Sequence, residues 1–231
     1  GFRPKKSILT NAKLHVANKF LLKLDLKDFF PSITLNQVIN VFRGFGYSNH
    51  VAFFLGSICC VDDHLPQGAP TSPALSNIIA LHLDNRLLGL AKKMGYKYTR
   101  YADDFAFSGD SISSTFTQYV VRIISECKFI VNADKVKLYK GDGAKILTGV
   151  SLANGKIRVP REYRRNLEQE LYFIKQYGMG EHMRRRKIKN PHYLESVIGK
   201  TEFWLMLEPE NEFAKSALEY LTVLYKQKYS I

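Results

Sequence analysis

Apolar and polar positions alternate from Phe20 to Leu26. Leu22, Leu24 and Leu26 fall on one face, and Lys23, Asp25 and Lys27 on the other. A period of two predicts a half-buried strand, which Pro31 ends. From about Leu35 to Phe45 the period changes: Val38, Ile39, Phe42 and Phe45 follow helical spacing and Gly46 stops the helix. Leu65 to Pro73 carries Pro66, Gly68, Pro70 and Pro73 and predicts a structured loop. Beyond it, Leu75, Ile78, Ile79, Leu83 and Leu87 form one stripe, which predicts a single long helix over Ala74 to Met94, closed by Gly95. Tyr96 to Phe107 is rich in aromatics and reads as a hairpin turning at Ala102-Asp103-Asp104. A helix is predicted from about Ser114 to Cys127, then short strands to Val159 among Gly141, Gly143, Gly149 and Gly155. After Pro160 the pattern is helical. This order defines an α+β fold with a separate helical subdomain.

Composition changes the picture in one respect. Apolar residues make up 45% and charged residues 24%, ordinary for a folded domain, but Lys and Arg number 34 against 21 Asp and Glu, a net charge of +13. A surplus of that size points to a polyanionic partner, nucleic acid before anionic membrane. The excess is concentrated: residues 156–200 hold 12 basic and 5 acidic residues, including Arg184-Arg185-Arg186-Lys187. No apolar run is long enough to span a membrane, and no signal-peptide pattern opens the chain. Cys59, Cys60 and Cys127 form no Cys-x-x-Cys pair. They are expected to be buried thiols of a reduced, cytoplasmic protein.

In so basic a chain, acids at strand ends are notable, because strands are poor in Asp. Asp25 ends an apolar strand, and Asp103 and Asp104 occupy the hairpin turn. Carboxylates so placed suit hard divalent cations that serve phosphoryl transfer. The alternative is plain turn chemistry, with Asp25 paired to Lys23 or Lys27. Neighbouring strand residues face opposite ways, so Asp103 and Asp104 reach one site only if the turn bends there.

The segment Leu22-Lys23-Leu24-Asp25-Leu26-Lys27-Asp28-Phe29-Phe30-Pro31-Ser32-Ile33 resembles the first metal-binding motif of reverse transcriptases. Leu65-Pro66-Gln67-Gly68-Ala69-Pro70-Thr71-Ser72-Pro73 is similar to their template- and nucleotide-positioning loop, and Tyr101-Ala102-Asp103-Asp104 to the bacterial form of their second metal motif. Asn11-Ala12-Lys13-Leu14-His15 resembles an element of retron reverse transcriptases. Leu147-Thr148-Gly149 stands where those enzymes carry Val-Thr-Gly, and Val159 to Arg165 resembles their approach to the thumb.

The resemblance implies a right-hand polymerase: a palm of antiparallel sheet and helices with partial fingers over residues 1–155, and a helical thumb over 156–231. In the family a larger fingers segment precedes the position of Asp25. Only 24 residues precede it here, so the chain is expected to be N-terminally incomplete. The implied activity is RNA-directed DNA synthesis with two Mg²⁺ ions, deoxynucleotides and an RNA/DNA hybrid. A cognate structured non-coding RNA would be both template and primer, and an effector protein in phage defence a further partner. Asp25, Asp103 and Asp104 would hold the ions, Asp104 more loosely, with the Leu26 carbonyl completing one shell. Phe30 would exclude the 2′-OH while Phe29 packs in the core, and Gln67 and Gly68 would contact the nascent pair.

Several readings stay open at this level. Lys135 is a general acid for pyrophosphate or a solvated lysine. Asn11 and His15 contact RNA or form a buried pair that pins a loop; Thr148 and Gly149 are grouped with them as RNA contacts. Arg184, Arg185, Arg186 and Lys187 are a phosphate track or a solvated charge run. A group II intron-like enzyme, and an RNA-binding module without catalysis, are the alternatives to a retron-type polymerase.

Overall fold

The structure is a computed structural model that describes residues 1–229. It forms two compact units, Gly1–Thr148 and a second beginning at Gly149. The first contains, in order, α1 (Ile8–His15), β1 (Phe20–Asp25), α2 (Leu35–Gly44), α3 (Asn49–Cys59), α4 (Ser72–Ile79), α5 (Leu81–Lys93), β2 (Lys97–Tyr101), β3 (Asp104–Gly109), α6 (Ser114–Glu126), β4 (Lys137–Tyr139) and β5 (Lys145–Leu147). The second contains β6 (Val150–Ala153), β7 (Lys156–Arg158), α7 (Arg161–Tyr177), α8 (Met179–Arg185), α9 (Tyr193–Leu207) and α10 (Glu212–Tyr229). The unit boundary lies before the β6–β7 hairpin, whose turn holds residue 155. No described helix is long and apolar enough to cross a membrane.

An antiparallel sheet in the order β2-β3-β1-β4 organises the first unit. On one face Leu22 and Leu24 of β1 and Phe105 and Phe107 of β3 are fully buried. They join one core with Leu83 and Leu87 of α5 and Phe116, Val120 and Ile124 of α6. Each such side chain contributes about 1.5–3 kcal/mol when taken from water. Phe107 meets Phe116 edge-on at 5.2 Å and stacks on Tyr98 at 4.9 Å.

The opposite face of β1 is not left to solvent as a half-buried strand would be. Leu21 is fully buried. Helix α1 is fastened over this face by His15, whose Nδ1 and Nε2 lie 2.7 Å from the hydroxyls of Ser108 and Thr99. Asn18 donates to the same Ser108 oxygen at 3.0 Å. A capping box starts α1: Ser7 Oγ accepts from the Thr10 N–H, and Thr10 Oγ1 accepts from the Ser7 N–H.

Two expectations change, and one helix carries no signal in the sequence. The helix predicted over 74–94 starts at Ser72 and breaks at Ala80, which has ψ −2°. Neither Gly nor Pro marks that bend, and a fully buried alanine occupies it. Helix α3 has no predictive stripe, because it docks on α2 through Ala52 and Gly56 while Phe53, Phe54 and Ile58 stay exposed. A Cβ at Gly56 would stand 3.0 Å from Ile39, so glycine lets the two helices close. The three cysteines are free but half-buried at the core's margin.

In the second unit, β6 and β7 pair across Asn154-Gly155, both at positive φ, as a two-residue primed turn requires. Leu167, Leu171 and Ile174 of α7, Leu194, Val197 and Trp204 of α9, and Leu221 of α10 are among its buried side chains.

His15 makes the first unit sensitive to acid. Burial lowers its pKa from 6.5 to about 4. The folded state therefore prefers the neutral ring. Its contribution is intact above pH 6.5 and is lost as pH falls toward 4, where the unfolded chain binds the extra proton. We expect up to roughly 3 kcal/mol of stability to disappear across that window. Urea unfolding of the wild type and His15→Gln at several pH values reads this as a difference curve. A flat difference curve would mean that the ring takes a proton without cost.

Candidate active site

The site is built around the C-terminal end of β1. Beyond Asp25 the backbone is claimed from both sides: Leu26 N–H donates to Asp103 O at 3.1 Å, Lys27 N–H to Ile130 O at 2.8 Å, and Asn132 N–H to Asp25 O at 2.8 Å. The Leu26 carbonyl accepts no hydrogen bond among the described residues. Asp25 stands directly opposite Asp104 in the β1–β3 register.

Tyr101 and Asp104 close the β2–β3 hairpin around Ala102 and Asp103. Ala102 has φ 54°, the left-handed conformation that a two-residue hairpin needs at its first turn position. This is the bend that brings Asp103 beside Asp25. A cavity of about 470 Å³ results, lined among others by Asp25, Leu26, Phe30, Gln67, Asp103 and Lys135. Asp104 does not line it.

The charges pair in an order the sequence does not show. Asp25, only 7% exposed, accepts from the Lys135 ammonium at 3.0 Å and not from Lys23 or Lys27. Lys23 stands 3.0 Å from Asp104 Oδ1 instead. That oxygen is buried and has no hydrogen-bond partner, so the contact is electrostatic and off the direction a hydrogen bond needs. Burial pushes the Asp103 carboxyl above its ordinary pKa. Its own backbone N–H opposes this, the charges of Asp25 and Asp104 add to it, and Lys135 works against it. The hydrogen bond from Lys135 to Asp25 holds the ammonium above its usual range.

Among the described residues no group of three acidic, His or Cys side chains stands close enough to hold a metal ion. Asp25 and Asp104 are each neutralised by their own lysine, Lys135 and Lys23. The donor set nevertheless suits a hard divalent cation. It offers carboxylate oxygens, an unpartnered buried Oδ1 on Asp104 and a free Leu26 carbonyl, beside an Asp103 that its neighbours resist ionising.

Other expected residues fall in several places. Phe29 is buried against Phe129 and Phe30 at 5.7 and 5.3 Å, while Phe30 reaches the cavity. Gly68 does not line it. Its φ of 95° demands glycine, yet a Cβ there would meet nothing within 4 Å, so conformation and not crowding explains it. His15 is buried with both nitrogens taken, which rules out direct contact with RNA and assigns it to fastening α1. It is not paired with Asn11. Asn11 Nδ2 lies 3.5 Å from Thr148 Oγ1, and Asn11 Oδ1 is buried without a partner. Thr148 at φ 45° and Gly149 at φ 83° make a left-handed turn, strained for a β-branched threonine. Of the basic run, Arg184 and Arg185 bind Glu181, and Arg185 also covers the Tyr177 ring at 4.0 Å. Arg186 and Lys187 have no ion pair among the described residues.

Sequence reasoning missed the support beneath the turn. The Arg100 side chain, 6% exposed, donates from Nε and Nη2 to the two oxygens of Asp84 at 2.7 Å each. Its Nη1 donates to Ala102 O at 3.0 Å and its Nη2 to Asn77 at 3.1 Å. Tyr98 OH adds a 2.6 Å bond to Asp84. Burial disfavours the Arg100 charge, but Asp84's hydrogen bonds and charge outweigh that and hold its pKa above the usual value. The alternation of β2 places Arg100 on the core face, and a charge at a core position was the available signal.

An antiparallel sheet whose two central strands carry one acid each and whose hairpin turn carries a third, over a loop with Gln67, defines an α+β nucleotidyltransferase-like class of fold. Comparison with known proteins agrees. Residues 1–183 match the model of the family described as reverse transcriptase (RNA-dependent DNA polymerase). The chain is 36% identical over 176 residues to the retron Ec86 reverse transcriptase of Escherichia coli, covering 75% of this chain and 55% of that protein. It is 40% identical over 192 residues to the retron Mx65 reverse transcriptase of Myxococcus xanthus, covering 74% and 45%. It thus spans about half the length of these curated relatives. A foamy viral protease-reverse transcriptase, solved in complex with RNA/DNA hybrid, shares the fold at a TM-score of 0.56 and 16% identity, over 97% of this chain and 29% of that one. The chain belongs to the reverse transcriptase family, and within it to the retron type.

The Arg100–Asp84 pair yields a stability prediction. Arg100→Met leaves Asp84 beside the core without its partner and frees the Ala102 carbonyl, which should cost about 3–5 kcal/mol. Arg100→Lys keeps the charge but loses the two-pronged geometry, and should cost less. Denaturant unfolding measures both. A loss under about 1 kcal/mol for the methionine variant would show the pair to be incidental.

Proposed function

We propose that this chain is the catalytic part of an RNA-directed DNA polymerase of retron type. Residues 1–155 act as palm with a remnant of fingers, and 156–231 as thumb. The observation that carries this is the cavity in which Asp25 and Asp103, held by backbone hydrogen bonds, face Phe30, Gln67 and Lys135. Family membership and the basic surplus support it.

Asp25, Asp103 and Asp104, with the Leu26 carbonyl, would hold two Mg²⁺ ions. Bound there, the ions supply the charge that acidifies a primer hydroxyl and stabilises a departing pyrophosphate. The chain's own residues do the rest. The Leu26 and Lys27 backbone bonds hold the main chain of Asp25 in place before a substrate arrives. Lys135, 59% exposed at its side chain, can leave Asp25 and deliver a proton to pyrophosphate. Phe30 closes the cavity under the sugar and selects deoxynucleotides by excluding the 2′-OH. Gln67 meets the nascent pair from a loop fixed by Ser72 Oγ donating to Pro66 O at 2.7 Å.

The substrate would be a cognate structured RNA serving as template and primer, giving an RNA/DNA hybrid from deoxynucleotides. Arg186 and Lys187 are the members of the basic run free to meet phosphates, and Thr148 and Gly149 with Asn11 the remaining RNA contacts of the first unit and its border. An effector protein in phage defence is a further partner of this reading. Mg²⁺-dependent incorporation of deoxynucleotides by the full-length protein on its purified RNA tests the whole proposal.

Two variants test its parts. Asp103→Asn keeps the shape and removes the charge, so DNA synthesis should fall by about a thousandfold or more while RNA binding stays near wild type. Activity within tenfold of wild type would refute the assignment. Phe30→Val should admit ribonucleotides, read as the ratio of matched ribo- to deoxynucleotide incorporation. An unchanged ratio with retained activity would return Phe30 to a packing role.

A further inference from the structure

Lys23 has no role in the reading above, yet it occupies a defined place. It precedes Asp25 by two residues on β1 and so shares its face. Directly opposite Lys23 on β3 is Ala106, and opposite Asp25 is Asp104. Asp104 is therefore the diagonal cross-strand neighbour of Lys23, a distance that a long side chain spans when the residue directly opposite is small. The ammonium ends 3.0 Å from Asp104 Oδ1, with the two side chains 23% and 19% exposed.

Three observations belong together. Asp25 and Asp103 line the cavity and Asp104 does not. Asp104 Oδ1 is buried without a hydrogen bond, although a charged donor stands beside it. Each of the two paired acids has its own lysine, but Lys135 is mostly solvent-exposed and Lys23 is enclosed on the sheet. A carboxylate oxygen beside a charge but without a hydrogen bond keeps its lone pairs open to a divalent cation, which ligates such oxygens directly.

We propose that Lys23 is a positioning residue that holds Asp104 outside the cavity in the metal-free protein and yields it when a divalent cation takes over its charge. This rests on the polymerase reading of the same site. Lys23 thereby keeps three clustered carboxylates from repelling one another before substrate binds, and it makes the looser ligand conditional on metal.

The test uses the full-length protein and Mn²⁺ alone, without nucleotide or RNA. Loss of the free Mn²⁺ paramagnetic signal reports binding. Lys23→Met should bind Mn²⁺ about tenfold more tightly than wild type, the repulsion between one and two charges roughly 6 Å apart at the dielectric constant of water. Lys23→Gln should do the same, which keeps the test decisive if the methionine variant folds poorly. Lys23→Arg, retaining the charge, should bind no more tightly than wild type. The neutral variants should also melt lower than wild type without metal and recover on adding Mn²⁺. A lysine with a purely structural role would lower both melting points equally. Equal Mn²⁺ affinity in wild type and both neutral variants overturns the role of Lys23 and leaves the polymerase reading standing. A wild type that binds no Mn²⁺ overturns the metal reading of the site and this proposal with it.

Discussion

Everything at the site depends on the backbone of three residues, Asp25, Leu26 and Lys27, being hydrogen-bonded from two sides. The Asp103 carbonyl takes the Leu26 N–H, and the segment Ile130–Asn132 takes the Lys27 N–H and gives to the Asp25 carbonyl. An acid at the end of an edge strand would fray with it. Asp25 instead ends a strand lying between β3 and β4, where moving it breaks bonds to both neighbours. The same Leu26–Asp103 bond ties the hairpin turn to β1, so the backbones that carry Asp25 and Asp103 are held together by main chain. Catalysis by preorganised charge asks for that rigidity.

The cost of the arrangement is electrostatic. Asp25 and Asp104 face each other across two strands, with Asp103 in the adjoining turn, and like charges so placed destabilise a sheet. The chain answers with Lys135 and Lys23, one on each paired acid. Charge compensation by lysines suits a site that must later accept cations. An ammonium is a point charge on a flexible stem and leaves more readily than a guanidinium in a two-pronged grip. Where permanence is needed, beneath the turn, the chain uses Arg100 against Asp84.

Much of this was legible in the sequence because the signals were local. The alternation of β1, the helical stripes of α2 and α6, the hairpin and the acids at its turn all follow from periodicity and turn chemistry. What was not legible depends on residues distant in the chain. Leu21 shares the parity of Lys23 and Asp25, and its full burial does not follow from the alternation. The break at Ala80 carries no Gly or Pro. His15 was grouped with Asn11 because they share a motif, but its partners Ser108 and Thr99 lie 93 and 84 residues away. The pairing of Lys135 with Asp25 spans 110 residues. Charge pairs across a sheet cannot be read until the register is known, so the sequence leaves Lys23 and Lys27 as the alternative partners of Asp25.

The left-handed residues around the site extend the argument about rigidity. Asp28 at φ 48° follows the pinned segment, and Ala102 at φ 54° makes the turn. Glycine would adopt these angles at no cost, whereas a residue with a Cβ gives up roughly 1 kcal/mol or more. Glycine would also let the turn sample other conformations, each of which moves Asp103 away from Asp25. Alanine restricts those alternatives. The Arg100 bond to the Ala102 carbonyl and the Leu26 bond to the Asp103 carbonyl then select the left-handed form over what remains. The strain is thus held by neighbours on both sides, as sparsely populated conformations at functional sites must be. It places stiffness where the two acids have to stay together.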